Sequence, residues 1–154
     1  MMKFFTVAPN YVLSAAHCYG SSMSASNVGV LVGDQDITIG TDTPYSAMYT
    51  VSSIIKHTSF STTTNQNDIA LLKTSTSIVY NRGVGPACLP FPYSSTAFEN
   101  TILEVAGWGT TTFGGSRPNS LQTVSLNTMT NTNCVSKGVT NIFGGQICKS
   151  FLLV

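Results

Sequence analysis

The chain has 154 residues, of which 42% are hydrophobic and 8% charged, with a formal net charge of +1. That length suits about one domain with a sizeable core, the hydrophobic share excludes an intrinsically disordered chain, and the low charged share leaves Ser, Thr and Asn to supply polarity. Lys and Arg are scattered singly, which excludes a basic stripe for phosphates and a polybasic lipid patch, so neither nucleic acid nor a membrane is an expected partner.

The opening residues, MMKFFTVAPN, begin like a signal peptide, but the apolar stretch from Phe4 to Ala8 is shorter than an h-region of about 7–15 residues. No intact targeting signal is expected, no run approaches the roughly 18 apolar residues of a membrane helix, and no Asn-x-Ser/Thr sequon occurs. Short apolar or alternating runs then recur: YVLSAAHC, VGVLVGD, YTVSSIIKH, DIALLKTS, TILEVAGWG and LQTVSLNTM. Each is closed by Gly, Asn, Asp, Ser or Pro, and turn-rich segments such as STTTNQN and TTFGGSRPNS lie between them. This rhythm predicts an all-β barrel or sandwich. One helical turn is expected in TNTNCVSKG with Thr or Asn as its cap. The Pro-bearing stretch from Cys88 to Tyr93 is the candidate for a mid-chain crossover.

Two residues stand out for their chemistry. A histidine beside a cysteine on a β scaffold is ordinarily a hydrogen-bonded core residue. At His17, however, Ala15 and Ala16 remove bulk from the preceding backbone, so that another polar group can approach those amides, and Cys18 offers an anchor for the turn. A general base needs such a fixed ring, since its nitrogen must lie within about 3 Å of the proton it takes. Asp68 opens the run Ile69, Ala70, Leu71, Leu72, which is expected to carry its carboxylate inward. A buried carboxylate requires a partner, and an imidazole that becomes cationic during turnover is a suitable one. Four cysteines in so uncharged a chain fit an oxidising compartment, and four thiols allow three pairings.

In this order, VLSAAHC, DIALLK, CLP and VAGWGTT resemble the chymotrypsin/trypsin family of serine endopeptidases, with a likeness to secreted insect members. The resemblance covers Tyr11 to Ser150. It implies a pair of antiparallel β-barrels with a cleft between them, His17 as general base, and Asp68 as the buried acid that holds the imidazole tautomer. Their separation of 51 residues exceeds the family's roughly 45, a surplus that STTTNQN can absorb. The family pattern also implies a disulfide between Cys134 and Cys148. It pairs Cys18 with a cysteine on a preceding strand, and makes Cys88 a tether to a propeptide or light chain. Neither of those partners occurs, so both thiols are expected to be free. His57 matches a position without catalytic duty, and Trp108, between Gly107 and Gly109, matches a tight strand end where glycines permit close backbone approach. Asp34, Asp36 and Asp42 lack the spacing of a calcium loop and read as a solvated turn. No cofactor and no metal is expected; the implied partners are protein or peptide substrates or inhibitors.

The pattern breaks at both ends. In the triad template the serine follows the aspartate by about 93 residues, which points to roughly position 161. Ser150, with no glycines around it, is too early for that role. Residues 1–10 are expected to be a leader outside the family pattern, 11–150 a partial trypsin-like domain, and 151–154 a divergent tail. The expected fold is therefore an incomplete two-barrel antiparallel structure with exposed strand edges and poor solubility. The expected function is that of a serine-type endopeptidase fragment, secreted, carrying the histidine and the aspartate but not the nucleophile, and inactive alone. The alternative is a non-catalytic secreted homologue acting as a binding or regulatory protein.

Overall fold

The computed structural model describes residues 5–93, 97–112, 114–140 and 142–149. Ser150 and the tail 151–154 lie outside the described residues, as do positions 1–4 of the opening segment. Two units divide between Leu89 and Pro90, inside the stretch expected to be the crossover.

In the first unit, period-two patterning sets the sheet. Strands β1 (Phe5–Ala8), β2 (Tyr11–Ser14), β3 (Gly29–Val32), β4 (Ala47–Lys56) and β5 (Ala70–Thr74) form one antiparallel sheet in the order β1-β2-β5-β4-β3. Residues 5–8, within the segment expected to be a leader, are a strand of this sheet, with Phe5 opposite Leu13 and Thr6 opposite Val12. Alternate residues point to opposite faces of a strand. Val12 and Ser14 of β2 are accordingly buried beside Leu72 and Ala70 of β5, directly opposite them in register. Val30, Val51, Ile78 and Val84 complete the buried cluster, together with Ala16 and Tyr19 just beyond β2.

One strand, β4, serves two partners. Its first half, Ala47–Thr50, pairs with β3, and its second half, from Val51, pairs with β5. Between Val51, opposite Thr74, and Ser53, opposite Lys73, Ser52 is the extra residue of a bulge. Bulges sharpen local twist and bend the strand. The Ser52 hydroxyl donates to the Lys73 carbonyl at 3.0 Å, which satisfies a polar group where the ladder is interrupted. At the far end of β3, Gly33 has φ +69, and a side-chain carbon there would meet the Tyr45 carbonyl oxygen at 2.3 Å, so only glycine fits this turn.

The second unit holds β6 (Ile102–Gly107), β7 (Gln122–Met129) and β8 (Cys148–Lys149), in the order β6-β7-β8. Six consecutive antiparallel pairs, from Ile102 with Asn127 to Gly107 with Gln122, join β6 to β7 without a bulge. The helical turn expected in 130–138 is α1 (Asn131–Ser136), capped by Thr130, whose hydroxyl accepts the Asn133 N–H at 3.0 Å. Cys134 of α1 and Cys148 of β8 are joined by a disulfide, so the helix is stapled to the sheet edge. Trp108 is half-buried at the end of β6. The close approach expected at its flanking Gly109 is not found: a side-chain carbon there meets nothing within 4 Å.

Among the described residues no helix is long and apolar enough to cross a membrane.

Candidate active site

His17 and Asp68 approach each other because of strand register. Ser14 of β2 lies opposite Ala70 of β5, so the chain leaving β2 and the chain entering β5 emerge at the same end of the sheet. His17 sits there on a single 3-10 turn, Ala16–Cys18. Ala16 before it is fully buried and Tyr19 after it is 1% exposed, so the turn is held by its flanks while the imidazole points outward. The Tyr19 hydroxyl donates to Ser14 Oγ at 2.9 Å, and its carbonyl accepts from Lys56 Nζ at the end of β4. Two strands, β2 and β4, thus hold this turn.

Asp68 holds His17 at two points. Its Oδ1 accepts the His17 main-chain N–H at 2.8 Å, and its Oδ2 lies 2.6 Å from ring Nδ1. The small side chains of Ala15 and Ala16 leave room for this approach, and the Ala16 N–H also favours the carboxylate. A carboxylate can only accept, so the proton on the ring contact belongs to Nδ1, and Nε2 presents its lone pair. Partial desolvation opposes ionisation of Asp68, but the His17 ring and main-chain N–H outweigh it and hold the carboxyl below its ordinary range.

The expected interior placement of Asp68 is not what the structure has. Its side chain is 24% exposed and that of His17 is 59% exposed. The physical reason is that β5 starts at Ala70, not Ile69; Ile69 is itself 45% exposed, and Asp68 belongs to the turn ahead of the strand. That turn depends on a residue that sequence reading passed over. Asn67 adopts φ 56, a left-handed conformation that asparagine tolerates better than most residues. Its side-chain amide donates to the Ser59 carbonyl at 2.9 Å, and its own carbonyl accepts the Ile69 N–H at 2.8 Å. The available signal was an asparagine directly before the acid, at the end of a loop rich in turn-forming residues.

Cys18 does not staple the turn to a neighbouring strand. It and Cys88 are free thiols, since the expected preceding cysteine is absent from the chain. Cys18 Sγ instead lies 3.6 Å from His17 Nε2. Burial, and then the negative charge of Asp68, push this thiol above its usual pKa.

The other candidates lie apart from this pair. His57 is exposed beyond β4; its Nδ1 accepts the Ser59 N–H at 3.1 Å and its main-chain N–H donates to the Ile69 carbonyl at 3.0 Å, a turn-forming arrangement. The aspartates near β3 cap their own loop. Asp42 accepts the N–H groups of Gln35 and Asp36 at 3.3 and 2.7 Å, and Asp36 Oδ1 accepts the Thr38 N–H at 2.9 Å. Burial and the nearby Asp42 raise the Asp34 pKa; Asp42 is desolvated too, yet the main-chain donors hold it low. Among the described residues, no three His, Cys, Asp or Glu side chains are grouped to hold a metal ion.

The arrangement at His17 is that of a general base: an oriented imidazole, a carboxylate behind it to stabilise the imidazolium, and an accessible lone pair in front. Comparison with known proteins bears on the family. The family model described as Trypsin matches residues 5–151. Venom serine protease 34 of Apis mellifera is 34% identical over 146 residues, which are 92% of this chain and 36% of the relative. Venom serine protease of Polistes dominula is 32% identical over 149 residues, 96% of this chain and 51% of the relative. Trypsin-1 of Astacus astacus is 37% identical over 142 residues, 90% of this chain and 58% of the relative. The chain therefore spans about half the length of such relatives, or less. With a family match over nearly its whole length and the sheet and histidine turn described above, the chain belongs to the trypsin family.

Proposed function

We propose that this chain is part of a serine-type endopeptidase, in which His17 is the general base and Asp68 the residue that orients it. The observation that carries the reading is the double hold of Asp68 on His17, which commits Nδ1 as donor and leaves the Nε2 lone pair for an incoming proton. In peptide hydrolysis Nε2 takes the proton of an attacking alcohol as that oxygen bonds to the carbonyl carbon. The imidazolium then returns the proton to the leaving amine, while Asp68 offsets its charge. A positioned base of this kind contributes about 10²- to 10⁴-fold.

The alcohol itself is not supplied by this segment. Among the described residues no serine or threonine hydroxyl is bonded to His17 Nε2, which contacts Cys18 Sγ. By the spacing of the triad template, the serine stands about 93 residues beyond the aspartate. The segment by itself is therefore inactive, and its substrates and inhibitors, proteins or peptides, are those of the whole protease. A secreted setting is favoured by the Cys134–Cys148 bridge and by the venom proteases among its relatives.

A fluorophosphonate probe, which labels only an activated serine, tests this reading. The 154-residue chain should stay unlabelled, while a longer product containing it should label and lose labelling on His17→Ala. Labelling of the isolated chain, or a longer product that labels equally well without His17, overturns the proposal.

A further inference from the structure

One charged side chain stands where the pattern of the sheet calls for a small or apolar one. Lys56, the last residue of β4, lies opposite Ala70 of β5, and Ala70 lies opposite Ser14 of β2. Directly opposed residues of antiparallel strands share a face, and on this face Ala70 is 1% and Ser14 9% exposed. Lys56 therefore belongs to an inward row, and lysine is almost never buried unless its ammonium has a partner. That partner is the carbonyl of Tyr19, the residue that ends the histidine turn. We propose that Lys56 is a positioning residue for His17: its ammonium holds the C-terminal end of the histidine turn, so that the imidazole keeps its place in front of Asp68.

The turn needs outside support because it supplies little of its own. Its internal bonds run from the Cys18 N–H to the Ala15 carbonyl at 3.4 Å and from the Tyr19 N–H to the Ala16 carbonyl at 3.1 Å, and no side chain caps it at Ala15. Bonds of this i→i+3 kind have poorer geometry than those of an α-helix. Asp68 holds the middle of the turn through the His17 N–H, and the Tyr19 hydroxyl ties the far flank to Ser14. Neither contact serves the Tyr19 carbonyl, and among the described residues no main-chain N–H outside the strand ladders donates to it. Tyr19 is 1% exposed, so solvent is not at hand to replace Lys56. A buried carbonyl stripped of its donor is costly, and the backbone moves to find another. Movement at Tyr19 is carried along the turn to His17 and shifts the ring against a carboxylate 2.6 Å away. A displacement of about 1 Å can cost on the order of 10²-fold in rate. Among the described residues Lys56 makes no hydrogen bond to the ring or to the carboxylate, so it acts through the turn. The consequence for catalysis rests on the function proposed above; the contact itself does not.

The test uses the full chain with ¹⁵N labelling. In the native chain the Lys56 ammonium protons should exchange with water more slowly than those of Lys73, which is exposed on β5. Lys56→Met keeps an unbranched side chain and removes the donor. It should displace or broaden the His17 Nδ1 proton resonance and leave the indole resonance of Trp108, in the second unit, unmoved. Lys56→Arg restores a charged donor and should return the His17 signal toward its native position. In a longer product that contains the nucleophile, Lys56→Met should lower kcat about 10- to 100-fold with KM little changed. A lower urea midpoint in Lys56→Met with an unmoved His17 resonance would reveal a purely structural lysine and overturn the proposal. So would Lys56→Arg behaving as Lys56→Met does, or ammonium exchange at Lys56 as fast as at Lys73. The exchange measurement is made on the native protein and decides the contact whether or not Lys56→Met folds. None of the resonances needs a serine, so their failure leaves the hydrolase reading untouched, and a longer product that resists fluorophosphonate leaves the Lys56 contact standing.

Discussion

Asp68 contacts His17 through both carboxylate oxygens, one on the main-chain N–H at 2.8 Å and one on the ring at 2.6 Å. The first contact fixes where the backbone of the histidine turn lies and the second fixes which ring nitrogen carries the proton. Asp68→Asn keeps the shape but can present an amide N–H to Nδ1, which then must accept. The expected outcome is a shift of the His17 ring toward the Nε2–H tautomer, read from imidazole ¹⁵N shifts. In a complete protease the corresponding loss in kcat is about 10⁴-fold. An unchanged tautomer in the variant would show that the ring is oriented by something else.

Acid should undo this contact in a defined direction. Folding lowers the Asp68 pKa, so in the acid range the unfolded chain binds more protons than the folded one and stability rises with pH. The contribution is complete above the unfolded carboxyl value of about 3.9 and is lost as pH falls through the lower folded value. Urea unfolding followed between neutral pH and about pH 2 should show this slope in the native chain and a smaller one in Asp68→Asn.

Asn67 predicts a non-obvious ordering of substitutions. Its φ of 56 is costly for a residue with an ordinary side chain, on the order of 1–2 kcal/mol. Glycine takes the same backbone without that strain but loses the amide bond to the Ser59 carbonyl. Asn67→Ala should therefore destabilise more than Asn67→Gly, and should broaden or displace the His17 Nδ1 proton resonance as the aspartate turn relaxes. Equal effects of the two substitutions would mean that the backbone conformation there carries no constraint.

The Cys134–Cys148 bridge closes a loop with a sequence separation of 14. Chain-entropy estimates put such a constraint at about 3 kcal/mol. Because the chain has a single tryptophan, Trp108, at the end of β6, its fluorescence reports on the second unit alone. Cys134→Ala with Cys148→Ala should lower the urea midpoint seen by Trp108 while leaving the His17 ring resonances unchanged.

Much of this was legible in the sequence. Alternation in YTVSSIIKH and LQTVSLNTM gave strands, and Thr130 marked the start of α1, because side-chain periodicity and capping are local properties. The two alanines before His17 pointed to an approach of another group to that backbone, and the structure brings Asp68 there. Three features were not legible. The exposure of Asp68 turns on whether β5 begins at position 69 or 70, a one-residue boundary that composition does not resolve. The Ser52 bulge leaves no mark on a period-two pattern until the partner strands are known. Residues 5–8 lack the cysteine that the family pattern expects before the histidine turn, so only their pairing with β2 reveals them as a strand.

The bulge at Ser52 also limits how this protein can change over time. Loops between the strands can gain or lose residues at little thermodynamic expense. Removal of one residue from the middle of β4 would instead slip half the strand by one position and turn its inward side chains toward solvent. Length variation among descendants of this chain should therefore gather in segments such as 34–46 and 58–67, while the ten-residue span of β4 keeps its count.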